Sequence, residues 1–288
     1  MLQFVLFVGV LIFLFITGLP LAFALGITGF IFMVLTWGTS INVGIIAQRL
    51  FYGVNNFVIL AIPLFILVGK LMNTGGITNR IFRFANLLVG HWRGGLGQVN
   101  VLASMIFAGT SGLAVADTAG LGIVEIKAMR DAGYDDDFAA AITGASSTIG
   151  PIIPPSVPLV IYGILANASI GRLLIGGLIP GIFVGLLLMA MVVFYSLKKG
   201  YPVRKKASRK ELWVGLKEAI GPGLTPFILI AGMLSGMFTP TEAAAIAVLY
   251  AFILSFFVYR EITISDFWRL LKETAIETAI ITFIIACA

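Results

Sequence analysis

The run Phe138 to Gly171, FAAAITGASSTIGPIIPPSVPLVIYGILANASIG, decides how this chain is read. Its centre, Gly150-Pro151-Ile152-Ile153-Pro154-Pro155-Ser156-Val157-Pro158, packs four prolines into eight residues. A proline has no N–H to donate and clashes with the turn before it, so an α-helix does not continue through this stretch. Both flanks are nevertheless apolar: Phe138 to Ile149 is a helical run too short to span a bilayer, and Val157 to Ala166 resumes it. The alternative is an ordinary extramembrane loop, but Phe138 to Gly171 has no charged side chain. The simplest reading is a discontinuous transmembrane helix, whose freed backbone must be enclosed by protein or line a water-filled cavity.

Upstream, Tyr134-Asp135-Asp136-Asp137 marks the start of the first half-helix. Carboxylates there are expected to accept orphan N–H bonds and oppose the positive helix end. Before that, Val99 to Ala108 is apolar but short, Gly109-Thr110-Ser111-Gly112 interrupts it, and a second helical run reaches Met129. Two half-length helices around a polar, glycine-bearing turn describe a re-entrant hairpin over residues 98 to 130.

Composition supports this frame. Of 288 residues 59% are hydrophobic and 11% charged, against about a quarter charged in soluble domains. Apolar runs at 4 to 37, 174 to 197 and 243 to 259 approach or exceed the roughly 20 residues a spanning helix needs. The first is too long for a signal peptide and has no basic leader, so it reads as mature structure, broken or bent at Gly18 and Pro20. The Phe51 to Met72 run contains Pro63, and Ile77 to Arg93 looks interfacial, with Trp92 suited to headgroup level.

The net charge of +6 does not point to nucleic acid, because the basic residues concentrate in one loop. Residues 198 to 217 hold eight Lys/Arg against Glu211 alone, which places the loop in the cytoplasm. One Cys and one His, Cys287 and His91, stand far apart, so neither a disulfide framework nor an enzyme's nucleophile, base or metal cluster is in evidence. Thr239-Pro240-Thr241-Glu242 reads as a capping box before an apolar run, with Glu242 a cap rather than a catalytic acid. A last apolar run begins near Thr274. Prolines open alanine-containing runs at Pro20 and Pro240, and this echo, with the interrupted helix, points to inverted repeats.

The candidate site lies at the two interruptions. Thr110, Ser111 and Gly112 at the hairpin tip, and Ser146, Ser147, Thr148 and Gly150 beside the break, offer hydroxyls and exposed backbone. Neutral oxygens suit a hard cation such as Na+, near Ser111, Ser147 and Gly150, while half-helix N-termini attract an anion's carboxylate. Pro154, Pro155 and Ser156 complete the set. The competing reading is that these hydroxyls only glue helices together. Asp117, an intramembrane carboxylate, is costly and is read as part of a polar network rather than a direct substrate contact.

FAGTSGLAVADTAGLGIVEIKAM at 107 to 129 and YDDDFAAAITGASSTIGPIIPPSVPLVIYGILANASIGRL at 134 to 173 resemble the large membrane subunit (DctM-like, M subunit) of tripartite ATP-independent periplasmic (TRAP) transporters. So do GMFTPTEAAAIAVLYAFILSFFVYREI at 236 to 262 and LFITGLPLAFALGITGF at 14 to 30. The resemblance implies an all-α polytopic elevator fold like that of the ion-transporter superfamily, in the bacterial inner membrane. It implies scaffold helices over 1 to 97, and a transport-domain half over 98 to 197 with the hairpin and the broken helix at 138 to 166. A cytoplasmic basic loop over 198 to 220 and the start of a second repeat over 221 to 288 would follow. It further implies Na+ coupling with no other cofactor, an organic-acid substrate such as a C4-dicarboxylate or sialic acid, a small four-helix membrane subunit (Q) and a periplasmic solute-binding protein (P). Family members continue well beyond the point matching Ala288. The expectation is therefore a C-terminally truncated subunit, for which a non-transporting scaffold or fragment is the alternative.

Overall fold

The computed structural model describes residues 2 to 37, 43 to 112 and 114 to 287, with the side chains of Leu2, Gln3, Trp37, Val43, Thr110, Ser111 and Ala116 outside that description. Among the described residues the regular structure is entirely helical. The chain divides into two compact units, 1 to 60 with 273 to 288, and 61 to 272.

In the first unit, α1 (Leu2–Ile16) and α2 (Leu21–Trp37) pack together, with Phe7 and Phe32 edge to face at 5.2 Å. The 4 to 37 run is thus two helices, turned where Gly18 takes a φ of 86°. α3 (Val43–Val54) ends at Asn55-Asn56, so the apolar run from Phe51 to Met72 is not one helix either. Asn56 accepts the Val58 N–H and starts a 3-10 turn, Phe57–Leu60.

The second unit begins with α4 (Ala61–Thr74) and the amphipathic α5 (Ile77–Val89). α6 (Gly95–Ser111), α7 (Ala114–Ala119) and α8 (Leu121–Asp131) form the hairpin, and α7 and α8 both pack back on α6. Helix α9 (Asp136–Ser147) and α10 (Val157–Leu165) are the halves of the broken helix. The interruption lies where the prolines demand it.

α11 (Ile170–Lys199) is 30 residues long, about 45 Å at 1.5 Å per residue. Its Ile179, Phe183, Leu187 and Phe194 are exposed, which in water would be a liability and in a bilayer faces lipid. Its opposite stripe, Gly177, Gly181 and Gly185, is buried at a four-residue spacing that lets backbones approach. Then follow α12 (Arg209–Leu234), α13 (Pro240–Ile253) and α14 (Ile264–Cys287). Among the described residues, four helical segments are long and apolar enough to cross a membrane: 57–74, 170–199, 209–234 and 240–258. The chain is a multi-pass helical membrane protein.

Two local expectations change. The basic segment is not one loop: α11 runs through Lys199 and α12 starts at Arg209, capped by Ser208 with Glu211 in a capping box. Only residues 200 to 208 are a connector, because the Ser-x-x-Glu spacing already nucleates a helix. Asp135 stands at the N-cap of α9 without capping it, its carboxylate being taken by the Tyr201 hydroxyl at 2.8 Å and by Lys199 at 3.1 Å. These two partners hold the Asp135 carboxyl below its usual range. The final helix starts at Ile264, ahead of the apolar run from Thr274 that it carries, with Thr263 and Asp266 bonding reciprocally at its entrance. The Thr239–Glu242 capping box is present as read.

Candidate functional site

The backbone of α6 stays helical through Ser111, past Gly109 where the sequence reading interrupts it, and the hairpin turns at Gly112, the last residue of the expected tip. Gly112 has a φ of 62°, and a Cβ built there would fall 2.2 Å from the Pro155 carbonyl oxygen. Only a residue without a side chain allows the tip to rest on the proline break. Two interruptions 43 residues apart in sequence thereby become one place.

The break has its own order. After α9, backbone turns bond Ile149 to Ser146, Gly150 to Ser147, and Ile152 and Ile153 to Ile149. Ser156 then caps α10, accepting the Leu159 N–H at 3.2 Å and donating to the Pro151 carbonyl. Gly150, Pro154 and Pro155 are buried. Thr148 is exposed, its hydroxyl donating to Ala145 at 2.7 Å. Thr148 and Ser156 therefore serve the helix ends directly, whatever else they meet. The Thr110 and Ser111 side chains lie outside the described residues.

Behind the break lies a polar network between α6, α8 and α9. Asn100 donates to Glu125 Oε2 and to Thr143 Oγ1, both at 2.7 Å. Ser146 donates to Asn100 Oδ1 at 2.7 Å, and Ser104 reaches Ser146 at 3.1 Å. Ser147 donates to the Thr143 carbonyl at 2.7 Å. Asp117, on α7, is 1% exposed, with the hydroxyls of Ser104 and Ser147 beside its carboxylate.

Of the residues singled out from sequence, the fold thus brings together Gly112 with Pro155 and Ser156, and Asp117 with Ser147, with Ser146 in the same network. Sequence reading passed over Asn100, Ser104, Glu125 and Thr143. A signal existed: Asn100 and Ser104, like Thr143 and Ser147, are four apart in apolar segments and so share a helix face. Glu125 was hidden among the charges at the hairpin's base. This arrangement can hold a cation among oxygens and present helix ends and backbone groups to a solute; its hydroxyls are engaged in helix contacts, which suits a binding site rather than covalent chemistry.

The chain was compared with known proteins. It is 51% identical over 268 residues to the sialic acid TRAP transporter large permease protein SiaM of Vibrio cholerae, covering 93% of this chain and 62% of SiaM. It is 46% identical over 269 residues to the sialic acid TRAP transporter permease protein SiaT of Haemophilus influenzae, covering 93% of this chain and 43% of SiaT. It is 36% identical over 294 residues to the C4-dicarboxylate TRAP transporter large permease protein DctM of Rhodobacter capsulatus, covering 97% of this chain and 66% of that protein. The chain therefore spans less than two thirds of the length of each, and these relatives are transporter permeases rather than enzymes. A family model for the DctM component of tripartite ATP-independent periplasmic transporters matches residues 8–288. By the family model and these relatives, the chain belongs to the DctM family of TRAP transporter large permease subunits.

Proposed function

We propose that this chain is part of the membrane subunit of a sodium-coupled secondary transporter that imports an organic acid. The carrying observation is the seating of the Gly112 turn against the Pro155 carbonyl, which joins two interrupted helical segments inside an apolar protein. Interrupted helices leave carbonyls free for a cation and N–H groups free for a carboxylate, so one junction serves ion and anion together. The Na+ position that best fits the sequence is near Ser111, Ser147 and Gly150, with Thr110, Ser146, Thr148, Pro154, Pro155 and Ser156 around it.

SiaM and SiaT are named as sialic acid transporters and DctM as a C4-dicarboxylate transporter, which supports an acidic solute. Family membership supports a tripartite assembly with a small membrane subunit and a periplasmic solute-binding protein, in a bacterial inner membrane. An elevator movement of the hairpin and broken helix, built on inverted repeats, is the mechanism this reading implies, with the basic connector on the cytoplasmic side.

The test is uptake in proteoliposomes, with these residues in a subunit of the relatives' length alongside its small subunit and loaded binding protein. Uptake of labelled sialic acid or C4-dicarboxylate should require an inward sodium gradient. Ser111→Ala and Ser147→Ala should each raise the sodium needed for half-maximal uptake by roughly five-fold or more. Unchanged sodium dependence in both would favour helix glue.

A further inference from the structure

The surface where α5, α6 and α12 meet grades from charge to hydrocarbon along one helix. On α12, Arg209, Trp213, Leu216, Ile220 and Phe227 follow at spacings of four, three, four and seven residues, and so share one stripe. Leu216, Ile220 and Phe227 are exposed, and with Ile81 and Phe84 of α5 and Ile106 of α6 they line an open apolar groove. From Leu216 to Phe227 the groove runs about 16 Å at about 1.5 Å per residue, close to half of the roughly 30 Å hydrocarbon core. It is one leaflet deep.

Its mouth is basic. Trp213 is exposed, with Lys217 Nζ 5.6 Å from the centre of its ring, a pairing suited to headgroup depth. Leu87 of α5 meets Gly215, where a Cβ would fall 2.4 Å from Leu87 Cδ1, so the C-terminal end of α5 lies beside the start of α12. The Arg204 N–H donates to the Gly90 carbonyl at 3.0 Å and ties the connector to the same end. Between 204 and 218 the chain carries six Lys/Arg and two Glu. Both carboxylates are engaged: Glu211 closes the capping box with Ser208, and Glu218 pairs with Arg83 at 3.1 Å. Lys205, Lys206, Arg209, Lys210 and Lys217 are exposed and have no ion-pair partner among the described residues.

We propose that this groove holds one anionic phospholipid, an acyl chain lying along Leu216 to Phe227 and the headgroup among the cations around Trp213. The apolar stripe alone would accept any acyl chain; the charge at its mouth makes the choice. An anionic headgroup supplies the negative charge that the mouth lacks, whereas a zwitterionic one brings its own ammonium and gains less. A partner's apolar helix would cover the stripe and leave these cations without counter-charge. The lipid braces α5 against α12 across the groove, and the inference holds whatever solute is carried.

The experiment is native mass spectrometry of the purified 288-residue chain released from nanodiscs of equal phosphatidylglycerol and phosphatidylcholine with identical acyl chains. Wild type should retain one phosphatidylglycerol in preference to phosphatidylcholine. Arg209→Gln combined with Lys217→Gln should cut that retention about tenfold or more, while Lys127→Gln combined with Lys272→Gln, the same charge change at exposed positions elsewhere, should stay within about twofold of wild type. Ile220→Trp, which fills the groove and alters no charge, should also expel the lipid; the exposed charge pair carries the test should this variant not fold. Equal retention of the two lipids, equal loss in both charge pairs, or full retention by folded Ile220→Trp overturns the proposal. Displacement by inorganic phosphate but not by chloride at equal ionic strength also overturns it, since the cations would then form a site for a free anion. So does failure to retain the lipid in a subunit of the relatives' length assembled with its small subunit, which would give the groove to protein.

Discussion

Replacing Tyr134 by Phe removes one oxygen and leaves every ring contact in place, which makes it a sharp test of how the connector 200 to 208 is held. The buried Tyr134 hydroxyl accepts the Leu96 N–H at 3.1 Å, and lies 3.0 Å from the Pro202 carbonyl and 3.1 Å from that of Gly94. Having one hydrogen, it donates to one carbonyl at a time, so two hydrogen bonds are made at once. Leu96 N–H is among the orphan donors at the start of α6, whose N-cap, Gly94, supplies no side-chain cap. A net hydrogen bond contributes about 0.5 to 1.5 kcal/mol, and stranding a buried donor costs about 1 to 3 kcal/mol. A loss of about 2 kcal/mol is therefore expected, roughly a thirty-fold rise in the open connector if the loss is local. The ring should still stack on Tyr201, 4.4 Å away. The connector carries Arg204, Lys205 and Lys206 on exposed positions, so trypsin reads its opening directly. Tyr134→Phe should be cut at these residues about thirty times faster than wild type under conditions where reclosing outpaces cleavage. Tyr201→Phe, which loses only an exposed bond to Asp135, should change the rate little. Cleavage of Tyr134→Phe within twofold of wild type would falsify the latch.

The remaining predictions touch other joints. Gly177→Ala should destabilise the chain by about 1 to 3 kcal/mol, because a Cβ there would lie 2.2 Å from the Ile152 carbonyl, whereas Gly176→Ala, with open space, should melt like wild type. Thr239→Ala should weaken the start of α13 by about 1 kcal/mol by loss of its bond from the Glu242 N–H, measurable by hydrogen exchange there, with uptake at saturating sodium preserved. Partial burial and the bond to Asp135 push the Tyr201 phenol from 10.0 up to about 12. Its folded form holds the proton more tightly, so its contribution is complete below pH 10 and is lost as pH rises towards 12. The stability gap between wild type and Tyr201→Phe should close over that window, and a constant gap in melting experiments would show that the phenol's proton plays no part.

Much of the architecture was legible because it rests on local rules. Four prolines between Pro151 and Pro158 stop a helix in any context, the Thr239 and Glu242 spacing closes a capping box from four residues alone, and α11 follows from an uninterrupted apolar run. Boundaries set by competing local signals were less secure: Asn55 and Asn56 end α3 inside an apolar run, and Ser208 and Glu211 begin a helix inside a basic one. What the sequence by itself determined is therefore where helices must stop and which segments belong in lipid, because proline geometry, caps and hydropathy act within a few residues. Only the tertiary structure decided that Gly112 rests on Pro155, that Asp135 serves Tyr201 and Lys199 instead of its own helix, and that Asn100, Ser104, Glu125 and Thr143 gather around the hairpin core. Those pairings join residues up to 66 positions apart, and a hydrogen bond between helices depends on the rotation and depth at which two apolar faces pack.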